Sequence, residues 1–134
     1  MAERVDHQLA RAAADALRGQ SMDPELRTRL RGLPAMLQTS GLAATCAFLL
    51  SRAKEQKEQK RSDPYWRTAK TLLDEAARAV GVTPATDDPR ATLDKLTQVT
   101  AQQYVLAETR AAMLALWLSR LAQAQAEAQK RDRP

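Results

Sequence analysis

Apolar residues recur along this chain at three- and four-residue intervals, the spacing of one face of an α-helix. From about Glu3 to Arg18, the inward positions are Val5, Leu9, Ala12, Ala13 and Ala16, which predict a first helix. A second stripe starts after Pro24 and takes in Leu26, Leu30, Leu33 and Leu37. Pro34 sits inside it and is expected to bend that helix or reset its first turn. Thr39-Ser40-Gly41 reads as a break, and a third helix is predicted from about Leu42, nearly all apolar as far as Leu50 and therefore central. Its continuation, Arg52 to Arg61, alternates Lys and Glu and reads as a solvated helical tail or a flexible arm. A fourth helix, about Pro64 to Val80, packs Trp66, Ala69, Leu72, Leu73, Ala76, Ala77 and Val80. Val82 to Asp88 is a loop. A short helix then runs from Pro89 to about Gln98 with Leu93 and Leu96 inward. The last helix, to about Gln129, aligns Tyr104, Ala107, Ala111, Leu114, Leu118 and Leu121, with Met113 and Trp117 beside them.

The boundaries carry their own chemistry. Asp23-Pro24, Asp63-Pro64 and Asp88-Pro89 each have the form of a carboxylate N-cap followed by proline at the first helical position. Gly19 and Gly81 suit the left-handed residue that ends a helix. Thr100-Ala-Gln-Gln103 reads as a capping box that starts the last helix. Hydrophobic content is 44%, aromatic content only 4%, and the apolar bulk is Ala and Leu, strong helix formers. The expectation is one compact all-α domain over residues 1–134 with about six helices, its end, residues 130–134, frayed.

Few kinds of chemistry fit these side chains. The one cysteine, Cys46, lies in the apolar run AATCAFLL and reads as a small buried hydrophobe. One Cys and one His cannot build a metal site, and neither a Walker motif nor a phosphate-cradling glycine loop is present. His7 reads as a surface residue of the first helix, and Asp74-Glu75 and Asp87-Asp88 are neighbours whose side chains diverge or cap helices. The chain is therefore expected to be no enzyme, with no catalytic residue, no metal and no cofactor. No signal peptide and no apolar run approaching 18 residues are seen, so a cytoplasmic protein without membrane contact is expected.

A net charge of +5 is compatible with nucleic acid, an acidic protein or plain solubility, and its distribution says more. Leu26 to Lys54 holds Arg27, Arg29, Arg31, Arg52 and Lys54 and not one Asp or Glu. Arg27, Arg31 and Gln38 fall on one narrow face of a continuous helix, opposite the leucines. Such a face is either merely solvated or a seat for phosphates, to which the forked guanidinium is suited. Arg110 and Arg120 flank the Met113 and Trp117 face of the last helix, where Trp117 reads as a core aromatic.

Leu33-Pro34-Ala35-Met36-Leu37-Gln38-Thr39-Ser40-Gly41-Leu42, followed by Ala44-Thr45-Cys46-Ala47-Phe48-Leu49, closely resembles the signature LPxMIQTNGLxxTLAFL of the small helical subunit of type III-B CRISPR effector complexes, the Cmr complex. Leu37, Ser40 and Cys46 stand where that family usually has Ile, Asn and Leu. Tyr104 and Trp117-Leu118-Ser119-Arg120 match its C-terminal pattern, so the resemblance covers essentially the whole chain. It implies an all-α, non-enzymatic protein whose copies stack head to tail as the inner filament of an RNA-guided antiviral complex. The implied partners are the repeat-type guide-binding subunits, the large subunit, neighbouring copies, and target RNA paired with guide RNA. Carried onto this sequence, the nucleic-acid-binding candidates are Arg27, Arg31, Gln38, Arg52 and Lys54, which occupy or flank the matching block. The alternative is a helical adaptor whose basic face meets an acidic protein.

Overall fold

The computed structural model describes residues 4–53 and 63–132. They form five helices, α1 (Val5–Leu17), α2 (Pro24–Arg52), α3 (Pro64–Ala79), α4 (Pro89–Leu96) and α5 (Ala101–Arg131), and no strand among the described residues. The all-α expectation holds. The count is five rather than six because the predicted second and third helices are one element, α2, interrupted at Gly41.

Gly41 has φ 86° and ψ 171°, a conformation open to glycine and strained for any residue with a Cβ. Pro34 was expected to disturb this helix, yet the one non-helical residue inside α2 is Gly41. The start of the second segment is held by α5. The Leu42 amide donates to Glu108 Oε2 at 2.9 Å, and the Ala43 amide donates to the Tyr104 hydroxyl at 3.0 Å. These two acceptors serve as an N-cap supplied from another helix.

The other ends follow their sequence signals. Asp23, Asp63 and Asp88 accept from the amides of Leu26, of Tyr65 and Trp66, and of Ala91. Thr100 and Gln103 close the capping box. Gly19 and Gly81 have φ of 76° and 75°. The end of α1 and the turn into α2 are fastened by side chains from afar. Arg67 donates to the carbonyls of Asp15 and Arg18, Gln125 to those of Leu17 and Gln20, and Gln129 to that of Gln20.

The long helices α2 and α5 make the axis of the core. Leu26, Leu30, Leu33, Leu37, Leu42, Cys46 and Leu49 of α2 are buried, as are Ala107, Ala111, Leu114 and Leu118 of α5. α1 and α3 pack on the same axis through Leu9, Ala13, Leu72, Leu73 and Ala76. The alanines matter because a side chain of one carbon lets helix backbones approach closely. Val5, expected inward, is 38% exposed at the first turn of α1. α5 continues through Lys130 and Arg131, past its expected end at Gln129.

Although no uninterrupted apolar run approaches 18 residues, α2 as a helix passes a looser measure of a membrane span. Its 29 residues, with a hydropathy of 1.4 in the most apolar window, are long and apolar enough by length and composition. Here its leucines are instead buried against α5 and the other helices.

Candidate nucleic-acid interface

The first segment of α2 buries its leucine stripe and so turns Arg27, Arg31 and Gln38 outward, as helical spacing requires. Arg31 and Gln38 are exposed, and their side chains make no hydrogen bond or ion pair among the described residues. Between Arg27 and Gln38 the helix rises by about 16 Å at 1.5 Å per residue, so the face offers several phosphate-sized positions. Arg29, on the flank, lies over the Phe48 ring with its guanidinium carbon 5.0 Å from the ring centre.

Two of the candidates have partners that their neighbours in sequence do not reveal. The absence of acids from Leu26 to Lys54 does not leave Arg27 unpaired, because a terminal amine of its guanidinium lies 3.3 Å from Glu127 Oε1 of α5. Arg52 pairs with Glu25 at the opposite end of α2 and sits over the Tyr65 ring. Both partners come from the tertiary fold: Arg27 and Glu127 are 100 residues apart, and Arg52 and Glu25 are 27 apart. Arg52 also lies beyond the Gly41 break, off the continuous face that carries Arg27 and Arg31. Lys54 lies outside the described residues.

Arg27 and Arg31 line a cleft of about 380 Å³ between the start of α2 and the end of α5. Its other walls include Thr28, Ala126, Gln129 and Lys130, and no carboxylate lines it among the described residues. Gln129 is held in place there by the Met22 amide, which donates to its Oε1 at 3.0 Å. Lys130 lines the cleft although the sequence alone assigns it to a frayed end. The usable signal was its place in the last turn of a helix with an apolar stripe, where the chain must return toward α2.

The groove between α1 and α3 is the counterexample. At about 490 Å³ it is comparable in size, but Asp15, Asp74, Glu75 and Asp87 line it together with Arg67, Lys70 and Arg78. Lys70 meets Asp74 at 2.5 Å, and the nearly buried Glu75 is shared by Arg78 at 3.3 Å and Arg110 at 3.9 Å. Arg110 is thereby turned toward α3, and Trp117 is half-buried against the core. Positive charge in that groove is compensated internally.

Two other ionisable groups belong to the frame. Burial pushes the Cys46 thiol up to about 12, which keeps it protonated and inert. Burial also raises the Tyr104 hydroxyl above its ordinary range, with the Ala43 amide opposing and the Glu108 charge adding. The phenol therefore stays neutral while it accepts the Ala43 amide.

Exposed apolar side chains collect on the outer side of α5, where Val105 and Leu106 are each 59% exposed and Met113 and Leu116 project nearby. The two charged residues of α5 between Ala101 and Ser119, Glu108 and Arg110, are both engaged within the chain. That uncharged face suits contact with protein.

No curated protein and no solved structure matches this chain. The model of the family CRISPR-associated protein (Cas_Cmr5) matches residues 2–125, nearly the whole length, including both α2 with its LP-to-FL block and most of α5. An all-α chain whose signature block forms the broken central helix thus belongs to the CRISPR-associated Cas_Cmr5 family and is a small subunit associated with the type III-B Cmr complex.

Proposed function

We propose that this subunit is non-catalytic and lines the path of target RNA in an RNA-guided Cmr effector complex, contributing to antiviral defence in the cytoplasm. Copies stack as an inner filament beside the guide-carrying subunits, and the basic face of α2 touches the RNA backbone. A filament that must accept any target gains nothing from reading bases, so phosphate contacts are the interactions it needs. The observation that carries this reading is the cleft of Arg27, Arg31 and Lys130, lined by no carboxylate among the described residues and placed next to the family block on an exposed helix face.

The apolar outer face of α5 is the complementary element, available to a neighbouring subunit. The competing reading, a helical adaptor, draws support from the same arginines. Arg27 already meets a carboxylate within this chain, so the face can accept an acidic protein.

Replacing both Arg27 and Arg31 with Glu separates the two. The buried leucine stripe is untouched, so the variant is expected to stay folded. If the complex assembles normally but binds targets of all sequences more weakly, with crosslinks to RNA lost from α2, the RNA-lining reading stands. Failed assembly, with any surviving complex binding RNA at full strength, establishes the adaptor instead. RNA cleavage that survives stringent purification and maps to this chain would overturn the non-catalytic assignment.

A further inference from the structure

We infer that the cleft between the start of α2 and the end of α5 is a seat for an RNA phosphodiester, built from Arg31, Lys130 and Arg27, and that Glu127 occupies Arg27 until phosphate displaces it. The inference rests on the RNA-lining reading above and adds to it a ligand residue and a built-in competitor.

The three cations differ in readiness. Arg31 and Lys130 form no ion pair among the described residues, and they approach the cleft from different helices. Arg27 is the conditional member. Its contact with Glu127 is a single one of 3.3 Å, and the Glu127 side chain is half exposed, the conditions under which an ion pair is weak and readily exchanged. Its Nε is buried and donates to nothing. A guanidinium held by one long contact can do better with a phosphate, whose oxygens accept its terminal amines in pairs. Glu127 itself does not line the cleft, so an anion can enter without first displacing its carboxylate. The expected sequence is capture by Arg31 and Lys130, then transfer of Arg27 from Glu127 to the ligand. Nothing comparable is available in the groove between α1 and α3, where carboxylates already line the walls.

The probe is a single-stranded oligouridine RNA titrated against the full chain at several salt concentrations, with amide NMR shifts registering contacts too weak for other readouts. Glu127→Gln frees Arg27 and is expected to tighten binding several-fold and to steepen the salt dependence by about 0.7, the increment of one added phosphate contact on a single strand. Arg31→Glu and Lys130→Glu, both at exposed positions, are expected to weaken binding while helical content stays unchanged. If those two weaken binding but Glu127→Gln leaves it the same or weaker, the competitor role is wrong and the RNA-lining reading survives. If none of the three changes binding, or the wild-type chain shows no shifts at Arg27, Arg31 and Lys130, the cleft is not an RNA seat and the RNA assignment of this face falls with it. If polyglutamate binds as tightly as RNA with the same response to Glu127→Gln, the ligand is an acidic protein surface and the phosphodiester assignment is overturned.

Discussion

Two glutamates of α5 both reach toward α2, and they do opposite things. Glu108, near the start of α5, accepts the Leu42 amide where the Gly41 break leaves backbone donors without helical partners. Glu127, near the other end, meets the Arg27 guanidinium at the surface. One carboxylate serves a fixed backbone donor whose alternative is an unsatisfied buried group; the other serves a mobile side chain whose alternative is water. The same side-chain chemistry is structural in the first place and replaceable in the second, and the difference lies in what is lost when the bond opens. α5 therefore clamps the second segment of α2 through its backbone and touches the polar face of the first only through an exposed ion pair.

The comparison breaks first at Gly41. Gly41→Ala forces a side chain into a backbone region reserved for glycine and sets its Cβ 3.0 Å from Glu108 Oε2, so a loss of about 2–3 kcal/mol in chemical denaturation is expected. Cys46 reports the same event. Its buried thiol should resist alkylation in the native protein and react faster in the variant as the second segment opens.

Glu108→Ala removes the charged cap and leaves the Leu42 amide without its acceptor, which should destabilise the fold by about 2 kcal/mol. An unchanged denaturation midpoint would show that water replaces the carboxylate and that the clamp is dispensable. Tyr104→Phe strips the acceptor from the Ala43 amide alone and is expected to cost about 1 kcal/mol. The same substitution sharpens a pH effect. With the folded Tyr104 pKa raised, the phenol costs nothing below its unfolded value near 10. Above it the unfolded chain ionises first, and Tyr104 draws stability down until its folded pKa is passed. The Phe variant should lack that share of the alkaline decline.

Glu127→Gln is the smallest change, within about 0.5 kcal/mol by denaturation, because an exposed ion pair contributes little to folding. A loss as large as that of Glu108→Ala would make the two glutamates equivalent and remove the contrast.

Much of this architecture was legible beforehand because it rests on local chemistry. The Asp-Pro caps, the capping box at Thr100, the turn glycines and the leucine stripe of α2 each depend on residues within a turn or two of one another. The break at Thr39-Ser40-Gly41 was likewise readable, although the weight given to Pro34 was not matched by any non-helical backbone there. The candidate site was legible only in part. Arg31 and Gln38 stand exposed as expected, whereas Arg27 and Arg52 turned out to be paired.

By itself the sequence determined the helices, their buried faces, their ends, and an α2 surface rich in arginine and poor in acid. Periodicity and capping act over a few residues, so nothing distant is needed to read them. Tertiary structure alone decided which cations stay available. Leu42 and Glu108 are 66 residues apart, Arg27 and Glu127 are 100 apart, and Lys130 reaches the Arg27 and Arg31 cleft only because α5 packs back along α2. Electrostatic partnership depends on distances of a few ångströms in space, and the order of residues along a chain does not encode those distances.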